Sequence, residues 1–434
     1  MSTGKSAILL LLLGIAWVGC NPTRTTTTSS VEQPPATLTP RPASSPPPAQ
    51  ISAAHRTSPL SAPSAAAPAD SSPLPPLTAR EASSLFQSLS EPGEYFFSDN
   101  LISNETTYLD VADELRHRVP PGSAYLGVGP EQNYAYIALT RPALAFLVDI
   151  RRDNALLHLL YQALLRQARS RAQFVTLVLG RPYVSSDDPE SNGTVEEVLA
   201  HAERKAPDEA HFRSVHRRAV RELTGASGIP LSQDDLARLE QIHRAFFESQ
   251  LELRFRLHEA NGRTYPTLRS LWTTRTPSGD ALGFLASHSQ FQVVQRLAQA
   301  RRIIPVVGNF AGDHALASVA DELRRRQLRV GAFYVSNVEQ YLMEPADWKR
   351  WVANVHALPR DENAVFIRCY LDQGRAHPQQ RAGHRTTTLL QPMGAFLTRA
   401  AQGHPGSFWA LVTQWPAVSS PRNTPTGGGQ ESTR

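Results

Sequence analysis

Ala124-Tyr-Leu-Gly-Val-Gly-Pro-Glu-Gln132, followed by Leu144-Ala-Phe-Leu-Val-Asp149, decides the fold. An apolar run ending in Gly-x-Gly, a short helix and a second apolar run ending in an acid form the front half of an α/β unit. In such a unit ligands meet the carboxyl ends of parallel strands. Far downstream, Val330-Gly-Ala-Phe-Tyr-Val-Ser-Asn-Val-Glu-Gln-Tyr-Leu342 again runs from an apolar strand into a polar turn.

Working outward, helical spacing over 110–119 stops at the breaker Pro120-Pro-Gly122. Strands are expected at 124–128 and 145–150, with a short helix at 131–139 between them. A long helix then carries Leu156, Leu157, Leu159, Leu160 and Leu164. Phe174–Leu179 is a candidate further strand. From about 180 to 288 helical patterns dominate, clearest at 232–257, where Ser232 is placed as N-cap and Asp235 at the capping-box position. The alternation then resumes: helix 290–301, strand 303–307, helix 315–326, strand 330–335, helix 346–357 and strand 364–370. The expected fold is α/β and Rossmann-like. A mainly parallel sheet has helices on both faces and a mostly helical insertion at about 180–288.

The N-terminal part reads differently. The apolar run Ala7–Val18 falls short of the roughly 20 residues a spanning helix needs. With Gly19-Cys20 behind it, residues 1–20 resemble a bacterial lipoprotein signal in which Cys20 is acylated. Residues 21–78 hold a large share of the chain's 34 prolines among Ser, Thr and Ala, and read as a disordered tether. The folded domain is expected over 79–417, with a disordered tail over 418–434. These features place the protein in the cell envelope, held to a membrane through Cys20. Asn21, where Asp would favour the inner membrane, leans towards the outer one. A misread signal would leave the protein cytoplasmic. Cys20 and Cys369 are the only cysteines, and the apolar setting of Cys369 implies a buried, inert thiol. The net charge of +5 rests almost wholly on Arg, which reads as solvated helix faces; a nucleic-acid partner is not expected.

Taken in order, these pieces resemble a class I S-adenosylmethionine-dependent methyltransferase. The resemblance implies S-adenosylmethionine as cofactor. It implies Gly127, Gly129 and Glu131 at the Gly-rich turn, and Asp149 on the ribose hydroxyls. A carboxylate suits that role because it accepts two hydrogen bonds from a diol. Asn309 and Phe310 would stand near the adenine. Asn337, Glu339 and Tyr341, in the turn after the fourth strand, would stand near the transferred methyl group, with catalysis mainly by alignment. Pro130 and Asn309 depart from the family pattern. The chain is also similar to an uncharacterised bacterial family sharing Gly127-Val-Gly-Pro-Glu-Gln-Asn133 and Ser336-Asn-Val-Glu-Gln-Tyr-Leu342.

Structural readings stand beside the functional ones. Asp149 is equally a turn acid, and Glu339 and Tyr341 equally a packed helix turn. Phe96–Glu105 is either a gate, with Asn104 and Glu105 closing over a cofactor, or a capped turn. No Gly-x-Ser-x-Gly elbow or phosphate-binding Gly-x-x-x-x-Gly-Lys loop is present. An NAD-type turn lacks its third glycine. S-adenosylmethionine is made in the cytosol, so an exported methyltransferase faces a supply conflict. The alternative is a non-catalytic envelope lipoprotein using a degenerate Rossmann-like domain as a binding or scaffold module.

Overall fold

The computed structural model describes residues 74–259 and 261–418. The signal segment, Cys20 and nearly all of the tether and the tail lie outside the described residues. Among the described residues no helix is long and apolar enough to cross a membrane.

Strands β1 (Ala124–Gly127), β2 (Leu144–Asp149), β3 (Ile303–Val307), β4 (Val330–Ser336), β5 (Arg360–Leu371) and β6 (Thr386–Pro392) form one sheet in the order β3-β2-β1-β4-β5-β6. The first five run parallel and β6 pairs antiparallel with β5. Every residue of β1, β2 and β3 is buried. These strands therefore read as continuous apolar runs, as expected of a sheet covered on both faces. The chain adds strands on one side of β1, then returns to place β4 on the other. That reversal lies at the carboxyl ends of β1 and β4, where open α/β sheets bind their ligands.

Helices α1 (Ala79–Leu89) and α2 (Ala112–Arg118) precede β1; α3 (Asn133–Thr140) joins β1 to β2 and α4 (Arg152–Gln167) follows β2. A helical block then intervenes before β3: α5 (Arg171–Leu179), α6 (Val195–Ala202), α7 (Glu209–Arg221), α8 (Gln233–Ser249), α9 (Leu268–Trp272) and α10 (His288–Gln299). After β3 come α11 (Ala315–Arg325), α12 (Pro345–Ala357) between β4 and β5, and α13 (Met393–Ala400) and α14 (Phe408–Gln414) behind β6. The long helix α4 is the hinge of the packing, touching β2 and β3 on one side and α8 and α10 on the other.

The α8 start matches its expected cap. Ser232 Oγ accepts from the Asp235 amide at 3.1 Å and Asp235 Oδ2 accepts from the Ser232 amide at 2.9 Å. Asp235 also takes Arg152 of α4, at 2.5 and 2.8 Å, so the cap doubles as the joint between insertion and core. Ser232→Ala should lower the unfolding free energy by about 1 kcal/mol, read as a shifted urea midpoint at constant slope. The helix ends at Ser249, earlier than the spacing predicts. Gln250 adopts a φ of 54° and its side-chain Nε2 donates to the carbonyl of Leu179 at 3.0 Å.

Phe174–Leu179 is not a strand: it lies in α5, capped by Ser170 at one end and by Gly180 at φ 64° at the other. A helix buried on nearly all sides carries no stripe, so its apolar run resembles a central strand. Cys369 is fully buried, and burial pushes its thiol well above the ordinary range.

Candidate functional site

The turn after β1 is shaped by one side chain. Asn133 Nδ2 donates to the carbonyls of Val128 (2.9 Å), Gly129 (3.0 Å) and Pro130 (2.8 Å), while its Oδ1 accepts from Tyr125 at 2.8 Å. A Cβ on Gly127 would lie 1.9 Å from that same oxygen, so the strand must end in glycine. Gly129 sits at φ 74°, in the left-handed region, with open space where a side chain would point. Burial drives the imidazole of His158 down to about 4, leaving it neutral. Its Nε2 therefore donates to the Gly129 carbonyl at 2.9 Å, and its Nδ1 accepts from Tyr134 at 3.0 Å.

Asp149 closes the other wall. Its Oδ2 accepts from the Gly129 amide at 3.2 Å and its Oδ1 from the Arg151 amide at 2.9 Å. The Arg151 guanidinium stands 3.4 Å from Oδ1 and donates to the Asp99 carbonyl at 2.5 Å. The acid thus joins the Gly turn to the segment before α2, and is only 5% exposed.

That segment is latched from its other end by Glu105. The buried carboxyl accepts from Tyr334 at 2.7 Å, from Gln132 at 3.0 Å and from Ser336 through a short contact. Gln132 also donates to the Tyr334 hydroxyl. Burial pushes Glu105 above the ordinary carboxyl range and Glu131 up to about 7. Glu131 Oε1 accepts the Ser103 amide at 3.4 Å, while Oε2 has no hydrogen-bond partner. Tyr108, Gln132, Trp272 and Phe284 share with Glu131 a void of about 10 Å³, room for one water at most. A larger cavity, about 140 Å³, lies at the β6 side among Asp110, Glu114, Arg381 and Thr387.

The remaining candidates divide. Asn309 receives no support from a free edge: its Nδ2 donates to Glu94 at 3.4 Å and its Oδ1 accepts the Ala311 amide at 2.9 Å. Phe310 is buried, stacked on Trp351 at 5.3 Å and 14°, with both rings in the core. Glu339 is wholly buried and gripped by Arg368 at 2.5 and 2.8 Å and by Trp351 Nε1 at 2.9 Å. Asn337 is half-buried beside Ser336, 3.3 Å between their side-chain oxygens, and Tyr341 is 43% exposed. The structure therefore gathers Gly127, Gly129, Glu131 and Asp149 around one turn and sets Asn337 at the end of β4. Phe310 and Glu339 belong to a packed layer behind it.

Reasoning from sequence did not single out Asn133, Gln132, Tyr334 or His158. Asn133 carried a signal, as a short side-chain amide directly after a Gly-Pro turn, where it can gather the turn's carbonyls. Among the described residues no group of three or more His, Cys, Asp or Glu side chains is placed to hold a metal ion.

The chain matches no curated protein. A family model matches residues 101–422, from the latched segment through the whole sheet. Since that match spans most of the chain, the protein belongs to the family described as a domain of unknown function (DUF7790).

Proposed function

We propose that the domain binds a nucleoside-bearing cofactor of the S-adenosylmethionine type at the β1–β2 turn, and is a methyltransferase of unassigned substrate. The observation that carries this reading is the pairing of Gly129 with Asp149 at the reversal of strand order. The residues suit the group. A carboxylate offers about four lone-pair sites; Asp149 uses two on backbone amides and sets Oδ1 against the Arg151 guanidinium, which leaves Oδ2 to accept from a ribose hydroxyl. Gly129 opens space for close backbone approach. The bound cofactor would supply the methyl group. The chain's own residues would hold the ribose through Asp149, exclude water through the segment latched by Glu105, and align the acceptor beside Asn337.

Asp149→Asn keeps the side chain's shape and an acceptor for one of the two amides but turns an NH2 group towards the other, so its melting temperature is checked against wild type before titration. Losing charge-assisted hydrogen bonds of about 1.5–3 kcal/mol should weaken S-adenosylmethionine about 10- to 100-fold in calorimetric titration of the full chain. Equal affinity in wild type and variant would sink the ribose assignment.

The second reading, a non-catalytic envelope module, draws on the fixed state of Phe310, Asn309 and Glu339, which are engaged by the protein itself. It predicts no affinity of the folded chain for S-adenosylmethionine or S-adenosylhomocysteine. In that case the helical block α5–α10 would be the surface that meets a partner. A lipid anchor at Cys20, which we propose from the sequence, would fit either reading, because a Pro-rich tether would hold the domain away from its membrane.

A further inference from the structure

Among the described residues the exposed large apolar side chains are Tyr95 (77%), Phe97 (42%) and Tyr341 (43%). They are not scattered. Phe96 stacks on Phe97 at 4.3 Å, and Tyr341 lies 5.4 Å from Phe96 and 6.0 Å from Phe97. Tyr95 is steadied by the insertion, its hydroxyl 2.9 Å from His258 Nδ1. Isolated surface rings need no explanation, but rings that converge mark a binding surface.

Their position gives them a purpose. Phe97 precedes Ser98 and Asp99, whose carbonyls accept from Arg151, the residue that also pairs with Asp149. Tyr341 closes the short turn Val338–Tyr341 that opens at Asn337. The aromatic rim thus joins the segment tied to Asp149 through Arg151 with the turn that follows β4. Its extent decides what it takes: a stable protein interface needs roughly 20–30 residues a side, and this rim has four. Arg guanidinium groups lie over Phe86, Phe212, Phe366 and Trp409, whereas none is seen over these rings. Phe96 and Phe97 stack on one another, while Phe97 and Tyr341 keep exposed ring surface for a ligand.

We infer that Phe96, Phe97 and Tyr341 form the acceptor subsite, holding a small molecule with a flat, apolar body. The inference rests on the cofactor reading above and names its substrate class. The body stacks on the rim while a polar substituent reaches Asn337.

The test uses the full chain and 2-naphthol as probe, followed by ligand-observed NMR. Binding at one site is expected, at least tenfold weaker in Tyr341→Ala and in Phe97→Ser. Phe97→Ser should leave S-adenosylmethionine affinity within twofold. Because the rings are exposed, the variants should keep the wild-type melting temperature; a fall in Phe97→Ser leaves Tyr341→Ala as the deciding comparison. Naphthol affinity unchanged in both variants overturns the subsite, as does sedimentation showing a wild-type dimer that Phe97→Ser splits. If naphthol binds at the rim while S-adenosylmethionine does not bind at all, the subsite stands and the cofactor reading fails. If the cofactor binds and naphthol does not, the cofactor reading stands and the subsite fails.

Discussion

Arg368→Ala is expected to destabilise the domain by about 3–5 kcal/mol, the range for breaking a buried ion pair on one side. Arg368, on β5, is wholly buried and holds both oxygens of Glu339, while its third nitrogen donates to Gln391 of β6 at 2.7 Å. Its guanidinium lies 4.3 Å from the ring centre of Phe366 and 5.1 Å from that of Phe396. Removing it leaves a carboxylate with no cation inside the sheet's helical cover, and removes a link between β5 and β6. The double replacement Glu339→Gln with Arg368→Met leaves no buried charge and should lose less than Arg368→Ala alone. Urea unfolding of the two variants reads this directly. A loss below 1 kcal/mol in Arg368→Ala would show that the pair is not what holds this corner. The double variant also bears on function: if it folds and binds S-adenosylmethionine as wild type does, Glu339 has no part in the cofactor site.

The same ion pair shows where reading the sequence stops. Glu339 and Tyr341 stand two residues apart in one turn, yet one is sealed beneath the sheet's cover and the other exposed. What separates them is Arg368, which arrives from β5 and is silent in any local pattern. Phe310 is decided in the same way by Trp351 on α12. The parallel core was legible because β1 to β3 are buried on both faces, so each is a continuous apolar run between Gly or polar turns. β6 escaped because its first half is Thr386-Thr387-Thr388, whose hydroxyls look like a polar loop. In the fold two of them meet Thr107 at 2.8 and 3.1 Å, contacts from the far side of the chain. The site was half legible: the Gly turn and Asp149 follow from strand-end residues, while the Glu105 latch needs β4, α3 and the segment before α2 in place at once.

Glu131→Gln should change how stability depends on pH. Burial holds the Glu131 carboxyl at about 7 in the folded chain, against 4.5 for an unhindered carboxyl. Between those values the folded state keeps a proton that the unfolded state has released. Stability from this group is therefore fully present below pH 4.5, falls as pH rises towards 7, and is flat above. The shift corresponds to about 3 kcal/mol. His158, pushed down to about 4 by burial, works the other way, losing stability as pH falls below the imidazole's usual 6.5. Glu105 is pushed up like Glu131 and has the same sign. Both remain in the variant, so they cancel when the profiles of Glu131→Gln and wild type are subtracted. The difference should rise by about 3 kcal/mol in the variant's favour from pH 4.5 to pH 8, measured by urea unfolding at each pH. Parallel profiles would mean that Glu131 ionises freely at neutral pH, and the turn beside Gly129 would then carry a charge. That result would bear on the cofactor reading as well, because a carboxylate there would repel the carboxylate of S-adenosylmethionine, whereas an acid held at about 7 is mostly neutral below that pH.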